Sequence, residues 1–415
     1  MTIVGSWNNR VKFGIAFLAL VCLSGCWDRV EIEERAVVLG IAVDAEDPSE
    51  AKNEPAVSHS SKDFRAPETG MIRLTVQLAV PGRIPLGPGG SEGSGGGGAA
   101  QQQTVWALDV VGHTMDDAVS NLQQQISSPL FFGHLRVIVI SEKLAKRGLQ
   151  NINDYFRRNS EVRRTSWMVI AKGNAAELMK AAPELERVPT LYLTATLDQA
   201  VRMGKLPLDF VGFFWTNSSK KGQEGYLPYV EIIKKNENVQ ISGIAYFKGD
   251  KMVDTTTPGE IGAFMAVKGI NPAGYQVFAG IPGSEKEMVV YSATHRKSKI
   301  RVSIKNGRPH YKVQIHVEGN LREKTDVKIP LNESMLKDIE KDIEKNAKQA
   351  IEDFIKKTQE KGADIFGFGE YVRAKKPGYW NREIRTKKQW QDMYKEATVE
   401  IAVDYKIRRV GMKAR

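Results

Sequence analysis

Apolar and polar positions along this chain change period several times, and each change predicts an element. Ala36 to Asp44 (AVVLGIAVD) is a β-branched apolar run of the kind a buried strand carries. Met71 to Val80 (MIRLTVQLAV) alternates with period two and reads as a second strand. From Val105 onward strand and helix alternate. The pattern predicts a strand at Val105 to Val111, a helix at Thr114 to Gln125 and a strand at Leu135 to Ile140. A helix follows from Ser141, which can cap it, to Arg147, then a strand at Ser166 to Lys172 and a helix from Asn174.

The middle is less regular. Pro189, Pro207 and Pro228, with the polar run Thr216 to Gly225, punctuate it, while Val239 to Phe247 and Lys251 to Val253 predict a hairpin turning at Gly249 and Asp250. Further on, Ile300 to Ile304 and Tyr311 to Val317 predict strands around a turn at Asn306 and Gly307. A long helix runs from Asn332 to Lys361 and is ended by Gly362. Leu336, Ile339, Ile343, Ala347, Ile351 and Phe354 share one face of it, opposite a face crowded with Lys, Asp and Glu, as expected of a helix that covers its own sheet. Thr398 to Ile407 (TVEIAVDYKI) supplies a final alternating strand.

These elements predict an α+β fold, with three mixed α/β domains in an elongated arrangement. The expected divisions are an N-terminal α/β domain at 26–198, a middle domain at 199–297, and a C-terminal α+β domain at 298–415 that carries the long helix 332–361. Residues 81–103 contain GPGGSEGSGGGGAAQQQ, which has nothing apolar to bury and is expected to be a flexible insertion. Its glycines open no helix and no Lys with Ser or Thr follows them, so it is not read as a phosphate cradle.

The first 25 residues read as an address. Arg10 and Lys12 precede an apolar run from Phe13 to Leu23, and Ser24 and Gly25 close it, in the order of a secretory signal peptide. The run is too short to span a bilayer. Leu23, Ser24, Gly25 and Cys26 resemble the lipobox of bacterial lipoproteins. That resemblance implies a diacylglyceryl group on the Cys26 thiol and signal-peptidase cleavage between Gly25 and Cys26. Of the two cysteines, Cys22 and Cys26, cleavage discards the first, leaving no thiol partner for a disulfide or a metal cluster. Each buried acyl methylene contributes roughly 0.8 kcal/mol, so two or three chains hold a protein at a membrane almost permanently. Trp27 suits the headgroup zone. The ten residues from Cys26 to Ala36 reach at most about 35 Å, which keeps the first domain close to the bilayer.

Charge narrows the partners. The chain carries +11, and loss of Arg10 and Lys12 with the signal peptide leaves +9, an excess suited to anionic lipid or an acidic partner surface and equally typical of a solvated basic surface. No zinc-finger spacing or aromatic RNP pattern accompanies it, so no nucleic-acid partner is expected. The six histidines, His59, His113, His134, His295, His310 and His316, offer no HExxH pair, and no nucleophile elbow stands out. His310 and His316 lie an even number of residues apart and belong on one strand face, but a pair without a third ligand makes no metal site. Adjacent acids such as Glu33 and Glu34 carry no chemistry by themselves. The chain is therefore not read as an enzyme: no catalytic, cofactor-binding or metal-ligating residue is assigned, and no cofactor is expected.

Several blocks, in order behind the lipobox, carry a family resemblance. They are CWDRVEIEERAVVLGIAVD from Cys26, FFGHLRVIVISEKLAKRGL from Phe131, ISGIAYFKGDKMV from Ile241, DIFGFGEYVRAKKPGYW from Asp364 and VEIAVDYKIRRVGM from Val399. In these the chain resembles the Ger(x)C spore germination lipoproteins, the C subunits of nutrient germinant receptors. The resemblance implies a three-domain α+β protein, lipid-anchored through Cys26 on the outer face of the spore inner membrane. It also implies integral membrane partners, an A-type subunit and a permease-like B-type subunit, and no catalysis. The competing reading is a solute-binding lipoprotein that captures a nutrient between two lobes, for which a deep interdomain cleft lined by convergent polar groups is the expected mark.

Overall fold

Val137 and Val139 point into one apolar cluster while Ile138 and Ile140 point into another, so this strand is buried on both faces and the sheet around it must be covered on both sides. The computed structural model describes residues 31–47, 49, 70–80, 105–181, 188–233, 238–281, 284, 286–326 and 331–410. The signal peptide 1–25, Gly25 and Cys26 themselves, Trp27, His59 and the insertion 81–103 lie outside the described residues.

In chain order the elements are β1 (Ala36–Ala45), β2 (Ile72–Ala79), β3 (Val105–Gly112), α1 (Met115–Gln123), β4 (Leu130–Phe131), β5 (Val137–Ser141), α2 (Glu142–Arg147), α3 (Gln150–Arg158), β6 (Trp167–Ala171), α4 (Ala175–Leu178), α5 (Pro189–Arg202) and α6 (Val211–Ser219). There follow β7 (Tyr226–Ile233), β8 (Asn238–Lys248), β9 (Lys251–Thr255), α7 (Pro258–Lys268), β10 (Gln276–Gly280), β11 (Met288–Lys305), β12 (Arg308–Lys324), α8 (Glu333–Lys361), α9 (Phe368–Lys375), α10 (Pro377–Tyr379), α11 (Lys387–Tyr394) and β13 (Thr398–Val410). The expected α+β class holds, built on two sheets.

The first sheet runs β3-β2-β1-β5-β6-β7-β8-β9, with the short β4 pairing to β1. Its centre, β1-β5-β6-β7, is parallel, which requires the helical crossovers that the chain supplies. Contact between β6 and β7 is narrow: Ile170 pairs with Tyr229 and Ala171 with Val230. Helices α1, α2, α3 and α6 cover one face through Leu122, Leu144, Phe156 and Phe214. On the other face, α4, α5 and α7 contribute Leu178, Leu193 and Phe264 to a cluster that continues into the second sheet.

The second sheet runs β10-β11-β12-β13. Its long hairpin turns at Asn306 and Gly307, both at positive φ as a tight primed turn requires. The chain returns through α8 so that β13 lies parallel to β12. Asn332 caps α8 by accepting from the Met335 amide, and Gly362 at φ 67° ends it, as the sequence predicts. The buried stripe of α8, including Ile339, Ile343, Ile351 and Phe354, faces inward as expected. Each such side chain contributes about 1.5–3 kcal/mol on leaving water.

Three local expectations fare differently. Pro189, read as punctuation, occupies the first turn of α5, where a missing N–H costs nothing, and the division drawn at 198/199 falls inside that helix. The polar run from Thr216 begins inside α6, because Phe214 and Trp215 are buried and hold the helix despite its Ser and Thr residues. Ser141 sits at the start of α2 but does not cap it with its side chain; its Oγ accepts from the Ala45 amide at 3.3 Å instead. Elements expected in the middle region also go two ways, β7 to β9 extending the first sheet and β10 and β11 opening the second.

Candidate functional site: a polar and aromatic junction between the sheets

The block DIFGFGEY begins in the turn between α8 and α9 and runs into the first half of α9, and the segment meets the loop that leads into β7 of the first sheet. After Gly362 the chain reverses, and Gly367 at φ 79° starts α9. Asp364, 1% exposed, is the centre of the turn. Its Oδ1 accepts from the Gly367 amide at 2.8 Å, and its Oδ2 accepts from the Gly369 amide at 2.8 Å and Trp390 Nε1 at 3.0 Å. Burial pushes this carboxyl up to about 6, against the pull of those donors.

Residues 222–224, in the loop that leads into β7, dock on that turn by main-chain contacts. The Glu224 amide donates to the Asp364 carbonyl at 2.8 Å, and the Gly222 amide donates to Glu370 Oε1 at 2.8 Å. Gly222 is required there, because a Cβ would stand 2.4 Å from the Gly369 carbonyl carbon. The buried Glu224 carboxylate accepts from Lys387 at 2.9 Å, from Gln391 Nε2 at 2.7 Å and from the Gly249 amide at 3.0 Å. Lys387 also donates to the Ser218 carbonyl at the end of α6 at 2.8 Å. Thus one carboxylate ties the first sheet's β8–β9 turn to α11. Lys268, at the end of α7, donates to the Phe366 carbonyl at 3.0 Å, and burial lowers its pKa.

An aromatic series runs beneath these polar contacts. Tyr226 of β7 meets Phe264 of α7 at 4.9 Å between ring centroids, Phe264 meets Phe366 at 5.7 Å, and Phe366 meets Phe368 at 5.4 Å. Phe368 then meets Tyr311 of β12 at 4.6 Å, whose hydroxyl donates to the Phe368 carbonyl at 2.9 Å. Each such pair adds about 0.5–1.5 kcal/mol beyond its area. The space between the halves at this point is filled. The Asp364 and Glu224 carboxylates are hydrogen-bonded there, while among the described residues Asp209, a charge neighbour of Tyr226, keeps both carboxylate oxygens buried without a hydrogen-bond partner.

The residues singled out in sequence lie elsewhere. Glu33 and Glu34 are exposed on a single 3-10 turn. His310 and His316 do share the outward face of β12. His310 Nδ1 lies 2.8 Å from Thr398 Oγ1, and His316 lies between Asp404 at 2.6 Å and Glu318 at 3.1 Å, which raise its pKa. Among the described residues no group of three or more His, Cys, Asp or Glu side chains is placed to hold a metal ion. Among them, too, no helix is long and apolar enough to cross a membrane. Sequence reasoning missed Asp364 and Glu224 as a pair of anchors. The available signal was a lone acid among Gly362, Gly367 and Gly369, the composition of a side-chain-stabilised turn.

Comparison with known proteins accounts for the chain from near its start to near its end. Residues 28–232 match the spore germination protein N-terminal domain, and residues 242–411 match the spore germination B3/GerAC-like C-terminal domain. Spore germination protein KC of Bacillus subtilis (strain 168) is 26% identical over 430 residues, covering 96% of this chain and 95% of that protein. Spore germination protein B3 of the same organism is 24% identical over 410 residues, covering 96% and 98%. Spore germination protein GerQC of Bacillus cereus is 27% identical over 305 residues, covering 72% and 81%. The fold is that of the crystal structure of the GerBC protein, with a TM-score of 0.55 at 21% identity over 85% of this chain and 96% of that one. Two domain matches in the expected order, relatives aligned over nearly their whole length and a shared fold together identify the chain: it belongs to the Ger(x)C family of spore germination proteins.

Proposed function

We propose that this chain is the lipid-anchored subunit of a spore nutrient germinant receptor, required for nutrient-triggered germination. In this reading acyl chains on Cys26 hold it at the outer face of the spore inner membrane. From there it assembles with the integral membrane subunits, an A-type and a permease-like B-type, and couples them as a stiff body. The observation that carries the reading is the match of both halves to spore germination domains, in a chain whose sheets are tied together by Glu224, through its amide to the Asp364 carbonyl and its carboxylate to Lys387 and Gln391. A coupling part must transmit displacement without yielding, and a filled aromatic and hydrogen-bonded junction suits that. The rival reading, a two-lobed solute-binding lipoprotein, needs a deep open cleft between lobes; Phe264, Phe366 and Phe368 fill the space at the Asp364 turn, and what remains open beside α7 is a cavity of about 280 Å³ walled by single helices and strands rather than a cleft between lobes.

The test is Cys26→Ser in the native host, with intact-protein mass and detergent partitioning read beside nutrient-triggered germination. The expected wild type begins at an acylated Cys26 and is extracted only with detergent, while the variant is released and germination falls. Normal germination with the variant still at the membrane would remove the tether from the mechanism.

A further inference from the structure

Arg296 is the buried charge that the junction does not use. It is 7% exposed on β11 and forms no ion pair among the described residues. Its Nη1 donates to the Ile270 carbonyl at 3.3 Å, and its Nε has no partner. A guanidinium carries five N–H donors, and burying it without an anion costs several kcal/mol. Its position is built deliberately. The β-bulge between Ala293 and His295 breaks the alternation, so that Ala293 and Arg296, three residues apart, both face inward.

What they face is a cavity of about 280 Å³ between α7, α8 and the inner side of the second sheet. Tyr275, Tyr291 and Tyr405 stand around the Arg296 end, close enough for their phenols to act on its charge. Above them the walls are apolar or small: Ala263 and Ala266 of α7, Val277 of β10, and Ile343 and Ala347 of α8. Gly262 lets Tyr275 pack directly against α7 at the cavity wall, since a Cβ there would stand 2.9 Å from the Tyr275 hydroxyl. The rim is reachable, with exposed Asn346 and Ala350 on α8 and Phe278, 72% exposed, on β10. On its other side Arg296 borders an open groove lined by Lys297 and Lys299, which adds to the positive potential.

We propose that this cavity is a binding site for a small amphipathic carboxylate, paired with Arg296 at its floor and packed against the apolar walls of α7 and α8. A planar carboxylate matches the guanidinium fork with two parallel hydrogen bonds. The volume lies at the lower limit of small-molecule sites, which excludes long acyl chains and nucleotides. Inorganic phosphate is disfavoured, because one cation among apolar walls does not replace the hydration of a dianion. The site is independent of the tether and of receptor assembly.

The experiment is calorimetric titration of the detergent-solubilised full chain with benzoate, with benzyl alcohol and inorganic phosphate as controls. Saturable binding of benzoate is expected, with benzyl alcohol and phosphate each weaker by at least about tenfold, the worth of one charge-assisted contact. Arg296→Gln is expected to lose at least about tenfold in affinity while melting no lower than wild type, since it removes an unpaired charge. Should that variant fail to fold, Ala347→Trp, on the half-exposed side of α8, fills the cavity and is expected to abolish binding. No benzoate binding to wild type in the millimolar range overturns the proposal, as does binding that neither substitution weakens. Phosphate binding as tight as benzoate overturns the amphipathic assignment.

Discussion

Asp364→Ala isolates what holds the turn between the sheets. The substitution strands three buried donors, Gly367 N, Gly369 N and Trp390 Nε1. At about 1–3 kcal/mol each, the loss is roughly 3–9 kcal/mol. Opposing it, burial raises the carboxyl from 3.8 to about 6, and alanine removes that cost. About two pKa units correspond to on the order of 3 kcal/mol at neutral pH, leaving a net loss of roughly 0–6 kcal/mol there and the full 3–9 kcal/mol at the acid end, where the folded and unfolded carboxyls are both protonated. The pH dependence has a definite sign. Because the folded pKa lies above the unfolded one, the folded state holds the proton more tightly, and wild-type stability declines as pH climbs from 3.8 to about 6, then levels. Alanine abolishes that slope, so the gap between the two proteins is widest at the acid end and smallest above about pH 6. Urea titrations followed by circular dichroism and tryptophan fluorescence, at pH values on both sides of the window, measure it. A variant within about 0.5 kcal/mol of wild type at the acid end, or one that keeps the slope, would refute the assignment of Asp364 as the anchor.

Glu224→Ala leaves the Gly249 amide, Gln391 and Lys387 without their acceptor and is expected to cost about 3 kcal/mol, whereas Lys387→Met, on the more exposed partner, costs about 1 kcal/mol. A double-mutant cycle by urea titration should give a coupling of about 1 kcal/mol, and additivity of the two would show that the pair does not act together. Glu318 and Asp404 hold the His316 pKa above its ordinary value, so their stabilising effect is full below 6.5 and fades as pH rises through the raised pKa. The His316 side chain is 35% exposed, so solvent screening keeps the contribution under about 1 kcal/mol. An NMR titration should place the imidazole above 6.5, and His316→Gln should flatten stability across that window; an unshifted imidazole contradicts the clamp.

Periodic elements were legible in the sequence, and the contacts between them were not. β1, β2, the hairpin at Gly249 and Asp250, and α8 with both caps follow from alternation, turn residues and a helical stripe. β11 and β12 run to 18 and 17 residues, well beyond the expected segments, because bulges near Ala293 and Val290 break the alternation that marks a strand. α6 was hidden by its Ser and Thr residues, whose low propensity is overridden by burial of Phe214 and Trp215. The junction was visible only as a block shared with a family. Asp364 and Glu224 lie about 140 residues apart, and nothing local in either segment names its partner. Arg296 was equally silent, since its inward direction depends on a bulge.

The apolar cluster that passes without a break from Tyr226 and Ile244 through Phe264 to Phe366 and Tyr311 also sets how this protein can be inherited in parts. The two matched domains meet between residues 232 and 242, which invites swapping halves among paralogues at that point. Such a cut separates β7 from β8, which pair over eight residues from Tyr226 to Ile233, and pits one parent's ring series against the other's. Chimaeras made there graft two half-cores rather than two modules. Germination phenotypes read from them then report packing mismatch before they report specificity, and whole-chain exchange is the cleaner genetic unit.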